Sequence, residues 1–366
     1  MWFKRMILEE WFDDYQYAVQ YDIGESAVKF LTFGQLGFSF DDLPIRYGYH
    51  KGRPDLRAAL AEQYQPLSAE NILVTNGGSE AIFLIAAALL KPGDHVIVEH
   101  PNYPSLYEIP RSLSCSVSFL PLRFENGFKP DLSELDRLVT PHTKLVSLTH
   151  PNNPTGSMIS REALAELIAW VEAKGLYLLF DETYREMGFE NMLPPAATLS
   201  PRAISISSMS KCYGLPGIRI GWMATQDQAL LSSVLNIREQ VTITNNAIGE
   251  EIAVQVLKQK ERYLSRAREA ILHNRAIVAE WMDCQEDFEW VFPEAGVVSL
   301  PRLRDRVTVD PEKLYRHLAE AYRTFVIPGR CFEVDNRHFR LGFGATPAEI
   351  RIGLSNLNRA LADLRG

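Results

Sequence analysis

Cysteine is scarce in this chain of 366 residues: there are four, Cys115, Cys212, Cys284 and Cys331. No two lie close together, so neither a zinc ligand pair nor a disulfide framework is written here, and a reducing cytoplasmic setting is expected. None of the eight histidines forms a His-x-His or His-Glu-x-x-His set, so no metal site is expected. Excess positive charge is missing too. The net charge is −8 and there is no basic tract, which argues against nucleic-acid binding, since that rests on Lys and Arg neutralising phosphates. Long apolar runs are also absent. The longest, residues 81–90, is too short to cross a bilayer. Lys4, Arg5, Glu9, Glu10, Asp13 and Asp14 leave no apolar signal region near the start, so no membrane partner is expected. No internal repeat or low-complexity linker is visible.

What is present is an ordinary globular balance, 46% hydrophobic and 23% charged, in a chain long enough for a large core and two domains. Short apolar runs alternate with helical patterns. Helices are expected over residues 55–64, 79–90 and 161–174, the last ending at Gly175. Strands are expected over 72–74, 95–99, 115–120, 144–149, 176–180 and 203–207. This β-α-β alternation predicts an α/β fold with a mostly parallel sheet sandwiched by helices. Residues 226–283 read as mainly helical. Beyond them come strands near Trp290, Val297 and Arg340 and helices over 311–322 and 347–364. The chain therefore divides into a large domain, residues 41–283, and a smaller α/β domain made of residues 1–40 and 284–366.

In such sheets ligands bind outside the carboxyl ends of the strands, and the chemistry-bearing residues gather there. Lys211 follows a strand in Ser208-Met209-Ser210-Lys211. Lysine forms Schiff bases with carbonyl compounds once its amine is made available. Thr75-Asn76-Gly77-Gly78-Ser79 lies between a strand and a helix, where free N–H groups and the helix dipole favour an anion; a plain turn and cap is an equal reading. The glycine spacing fits neither a P-loop nor the dinucleotide fingerprint. Asp181 ends a strand, and a carboxylate there can pair with a pyridinium nitrogen; Tyr184 is three residues on. Read alone, Asp181 would be a solvated cap. Arg219, in Gly217-Ile218-Arg219-Ile220-Gly221, can bind phosphate bidentately, although a surface arginine is the plainer reading. Its neighbours suggest partial burial. Tyr103, in Pro101-Asn102-Tyr103-Pro104, can stack on a flat ring or simply fill a turn.

Taken together, Ser-x-Ser-Lys with a trailing Gly-x-Arg-x-Gly, preceded by Asn152-Asn153-Pro154-Thr155-Gly156 and Asp181-x-x-Tyr184, resembles the class I/II aminotransferase family of fold type I pyridoxal-phosphate (PLP) enzymes. The match spans roughly residues 45–345. The resemblance implies that Lys211 carries PLP, Asp181 pairs with the pyridine nitrogen, and Asn153 and Tyr184 bind the ring oxygen. It assigns Gly78, Ser79, Ser208 and Arg219 to the phosphate and Tyr103 to the ring face. Tyr47, in Tyr47-Gly48-Tyr49-His50-Lys51-Gly52, matches a tyrosine that reaches the neighbouring subunit's cofactor, which implies a homodimer with shared active sites. Arg340 matches the arginine that clamps the substrate α-carboxylate of a small-molecule amino acid.

The N-terminal segment departs from the aminotransferase pattern. Tyr21-Asp22-Ile23-Gly24-Glu25-Ser26 and Leu8-Glu9-Glu10-Trp11-Phe12 resemble a subgroup of cyclases that dehydrate and cyclise a hydroxylated arginine. Gly24 then lies at the substrate. Glu9, Glu10, Asp22 or Glu25 can supply a carboxylate for a guanidinium; a solvated acid is the plainer reading of any one of them. The expected activity is a cyclodehydratase acting on hydroxy-arginine. An amino-acid aminotransferase is the second reading, and a non-catalytic PLP-fold regulatory protein the third. The intact Lys211, Asp181 and Arg340 argue against the third.

Overall fold

The computed structural model describes residues 2–365. Seven strands form the central sheet: β1 (Ile72–Thr75), β2 (His95–His100), β3 (Ser116–Pro121), β4 (Thr143–Thr149), β5 (Tyr177–Asp181), β6 (Ala203–Ser208) and β7 (Gly221–Thr225). Their spatial order is β1-β7-β6-β5-β4-β2-β3, and only β7 pairs antiparallel with its neighbours. The sequence expectation of a mostly parallel α/β sheet holds.

Both faces of the sheet are covered, so its strands are apolar on alternate and intervening positions alike. Val96, Val98, Leu145, Leu179 and Ile204 pack with Ala81, Leu84 and Ile85 of the helix Gly78–Leu89 on one side. Ile97, Val146, Leu178 and Phe180 pack on the other with Leu164, Leu167 and Val171 of the helix Arg161–Lys174. That second helix starts where the Ser160 hydroxyl accepts the Ala163 N–H and stops at Gly175, whose φ of 67° needs glycine.

The last part of the chain builds a separate three-stranded antiparallel sheet from Val298–Ser299, Phe339–Gly342 and Ile327–Pro328. The N-terminal segment joins this part of the molecule. Tyr21–Asp22 pairs in parallel with Thr324–Phe325. The helix Ile7–Tyr15 buries Leu8 and Trp11, and the Trp11 indole N–H donates to the Val326 carbonyl at 2.9 Å.

Strand β7 and the helix Ser105–Ser112 are among the elements not legible in the sequence. Strand β7 follows the glycine-rich Lys211 loop and is buried at every position, so it shows no alternation. The helix Ser105–Ser112 carries Pro110 inside it, a residue that normally argues against helix. Among the described residues no helix is long and apolar enough to cross a membrane.

Candidate active site

The register of the sheet brings separate motifs to one edge. Thr149 pairs with Asp181, Asp181 with Ile206, and Gly221 lies between Ser208 and Thr75. The antiparallel β7 starts at the edge where its neighbours finish, which places Arg219 beside the turn after β1. A cavity of about 460 Å³ opens there. Lys211, Asp181, Tyr184, Asn153, Ser208, Gly78, Ser79, Tyr103, Arg219 and Arg340 all line it, with Glu9 and Glu25 from the N-terminal segment. Gly24 is buried next to it, and its carbonyl accepts from Arg340 Nε at 3.0 Å.

At the end of the cavity next to β1, the helix Gly78–Leu89 begins at Gly77 with no side-chain cap, so its first N–H groups are open to an anion. Arg219 Nη2 donates to the Asn76 carbonyl at 3.3 Å. A Cβ on Gly77 would lie 2.3 Å from that same Nη2. Ser79 Oγ is 3.4 Å from the Tyr103 hydroxyl. Arg219 is exposed rather than partly buried as its apolar neighbours suggested, because its guanidinium lies over an open cradle.

Asp181 is buried and accepts the Thr183 N–H at 3.0 Å. Burial pushes its carboxyl up, against weaker pulls from Thr183 and Lys211; a cation at its other oxygen would reverse the sign. Tyr184 donates to the Ser26 carbonyl at 3.0 Å, and burial raises its hydroxyl. Asn153 Oδ1 accepts from Arg340 Nη1 at 3.1 Å. Arg340 is 1% exposed, and its Nη2 is buried without a partner among the described residues. Such a donor calls for an acceptor. A free helix terminus flanked by arginine and serine, a buried strand-end carboxylate and a lysine between them together fit PLP, and the orphan Nη2 fits a carboxylate.

Lys211 Nζ donates to Glu25 Oε1 and Ser26 Oγ, both at 3.1 Å. Burial lowers the lysine, but Glu25 and Tyr184 together outweigh it and hold it above the usual range. Burial likewise works against the Glu25 anion, and Lys211 with Arg340 overcomes it, so that carboxyl is held low. Glu9 stands at the rim, its carboxyl raised by desolvation that Lys211 and Arg340 only partly offset.

Two other acids of the N-terminal segment go elsewhere. Asp22 turns into its own loop, accepting the Gly24 and Glu25 N–H groups at 2.9 Å each. Glu10 is exposed and lies 3.9 Å from Arg5. Tyr47 is 80% exposed and lines a different hollow of about 610 Å³, which shares no residue with the first. Sequence reading missed Phe12, Asp13, Gln16, Tyr17 and Ser26, all of which line the cavity. Leu8, Glu9, Phe12, Asp13 and Gln16 recur at helical spacing, the one signal that could have placed them on a common face.

Known proteins share the family and the fold. The family model for aminotransferase class I and II matches residues 45–357. Capreomycidine synthase of Streptomyces vinaceus is 32% identical, covering 97% of this chain and 93% of that protein. The crystal structure of the PLP-dependent cyclase OrfR superposes with a TM-score of 0.92 at 30% identity, over 100% of this chain and 99% of that one. A PLP-dependent aminotransferase from Streptococcus suis 89-1591 superposes with a TM-score of 0.93 at 31% identity, over the same shares.

Proposed function

We propose that this chain, which belongs to the class I and II aminotransferase family, is a cyclodehydratase that converts a hydroxylated L-arginine to a cyclic guanidino amino acid of the capreomycidine type. It is an enzyme, and PLP is its cofactor.

The observation that carries the reading is the acidic N-terminal segment at the cavity. Glu9, Asp13 and Glu25 line the same space as Lys211 and Arg340. Arg340, with its orphan Nη2, suits an α-carboxylate. Carboxylates at the rim suit the planar fork of a guanidinium, which carboxylate oxygens bind bidentately. An arginine-derived substrate has both ends. The similarity to capreomycidine synthase covers 97% of the chain.

The residues have distinct tasks in this reading. The open helix terminus at Gly78 and Ser79, with Ser208 and Arg219, holds the phosphate. Tyr103 covers the ring, Asp181 holds the proton on the pyridine nitrogen, and Asn153 and Tyr184 take the ring oxygen. When bound, PLP stores the electron pair left at the substrate Cα. Lys211 Nζ is the base that takes the Cα proton. Arg340 orients the amino acid through its carboxylate, and the helix Ile7–Tyr15 covers the cavity and excludes water. Water leaves from the substrate side chain and a guanidine nitrogen closes the ring.

Tyr47 then serves the neighbouring subunit in a homodimer with shared sites, which its exposure outside its own cavity supports. Residues 41–283 act as the cofactor-binding domain, and residues 1–40 with 284–366 as the smaller one, supported by the pairing of Tyr21–Asp22 with Thr324–Phe325. The setting is cytoplasmic.

The second reading is an aminotransferase exchanging an amino group between an amino acid and a 2-oxo acid. The Streptococcus suis structure favours it. Incubation with β- or γ-hydroxyarginine, without any 2-oxo acid, separates the two by mass. A product lighter by one water is expected; reaction only after a 2-oxo acid is added, with amine exchange, sinks the proposal.

A further inference from the structure

Glu25 is held too firmly to be only a ligand waiting for a guanidinium. Its Oε1 takes the Lys211 ammonium at 3.1 Å, and its Oε2 accepts from Gln16 Nε2 at 3.3 Å. Gln16 also donates to Asp22 Oδ2 at 3.1 Å, and Asp22 Oδ1 pins the backbone of Gly24 and Glu25. The Gly24 carbonyl is fixed by Arg340 Nε, and the Ser26 hydroxyl is the second acceptor for Lys211. Three consecutive residues thus tie the lysine amine to the arginine that suits the substrate carboxylate. Glu9 and Arg340 share the cavity with this pair, as do Asp181 and Tyr184. Of the cavity's carboxylates, only Glu25 contacts Nζ among the described residues.

We propose that Glu25 is the positioning residue that selects the reaction: by drawing Lys211 Nζ toward the substrate side chain, it delivers the proton on that amine to the departing hydroxyl and so favours loss of water over transamination. The inference rests on the cyclodehydratase reading. For a hydroxyl on Cβ the step balances without an oxidant. The Cα–H bond breaks and its proton goes to Nζ in its neutral form, which makes the ammonium that Glu25 holds. The Cβ–O bond breaks, its oxygen takes the Nζ proton, and water leaves. Addition of a guanidine N–H across the carbons so joined returns one proton to Cα. Transamination differs only in where the Nζ proton goes, and it then requires a 2-oxo acid to carry the amino group away. A shift of the amine by about 1 Å is enough to alter such a choice by roughly 100-fold.

The test compares PLP-bound wild type with Glu25→Gln, which keeps size but loses charge, and Glu25→Asp, which keeps charge but draws back. Two quantities are read: the pH midpoint of the visible PLP band, and the ratio of dehydrated product to 2-oxo acid formed from β-hydroxyarginine in the presence of pyruvate. In Glu25→Gln the midpoint is expected to fall by about 1–3 pH units, since a carboxylate favours the protonated nitrogen beside it. Its product ratio is expected to fall at least tenfold, roughly, toward transamination. Glu25→Asp should keep the midpoint near wild type, with an intermediate ratio. An unchanged midpoint, or a ratio unchanged while both products decline together, overturns the inference and leaves Glu25 a guanidinium ligand. Wild type that forms no dehydrated product, with or without pyruvate, overturns the cyclodehydratase reading itself and this inference with it.

Discussion

Arg340 Nη1 donates to the side-chain oxygen of Asn153 at 3.1 Å, and this bond joins the strand Phe339–Gly342 to the turn that follows β4. The arginine that suits the substrate and the asparagine assigned to the cofactor ring are thus set against each other before either ligand arrives. Only Nη2 of Arg340 is left without a partner among the described residues.

Arg340→Lys keeps the charge but loses the fork. Hydrogen bonds to charged groups contribute about 1.5–3 kcal/mol, so kcat/KM for the amino-acid substrate should fall about 10- to 150-fold. The visible PLP band should keep its intensity. Steady-state kinetics beside an absorbance spectrum checks both.

Gly77→Ala should weaken cofactor binding. Gly77 has φ 82° and ψ 171°, a region nearly reserved for glycine, where another residue costs about 1–3 kcal/mol. The added methyl would also push Arg219 Nη2 off its place, since it would stand 2.3 Å away. The dissociation constant for PLP should rise about tenfold or more, measured by absorbance titration, with a lower melting temperature for the PLP-free protein.

Glu182 is a second buried carboxyl next to Asp181, and the mechanism does not use it. Burial pushes it up to about 7. Its Oε1 accepts from the Ala196 N–H and the Ser205 hydroxyl, at 2.6 and 2.7 Å, while Oε2 has no partner. In the unfolded chain the group ionises near pH 4.5. The fold's advantage is therefore complete below that pH and is lost as pH rises through about 7. The loss is on the order of 3 kcal/mol. Glu182→Gln keeps both accepted bonds and removes the charge. Its stability relative to wild type, from denaturant melts, should be greater at pH 8 than at pH 5.

The cluster of residues assigned to the cofactor was legible because most of them lie at a strand end or within a few residues beyond one. Asp181 and Ser208 close their strands, and Asn153 and Lys211 lie just beyond, as the alternation implied. The contacts that dock the N-terminal segment were not legible. Ser26 meets Lys211 across 185 positions of sequence, and Trp11 meets Val326 across 315. No local pattern encodes such contacts. Sequence could name Glu9, Glu10, Asp22 and Glu25 as acids but could not sort them. The fold does, by turning Asp22 onto its own backbone and leaving Glu10 outside.

Trp11→Ala tests the helix Ile7–Tyr15 as a cover. The indole is 2% exposed and anchors the helix to Val326. Truncating a buried tryptophan costs about 3–5 kcal/mol, which loosens the helix against what Leu8 and Phe12 still hold. KM for the substrate should rise at least tenfold, roughly, while PLP affinity stays within about a factor of three. A parallel loss of PLP would place the helix in the cofactor site instead.

The central claim is that the amino group never leaves the substrate, and counting turnovers tests it most directly. PLP-bound protein, freed of excess cofactor, is given a large excess of β-hydroxyarginine with no 2-oxo acid, and product is counted per active site. The account predicts many equivalents of a product lighter by one water, with the visible PLP band restored at the end. Arrest after one equivalent of a 2-oxo acid, with the band lost until a 2-oxo acid is supplied, would contradict it.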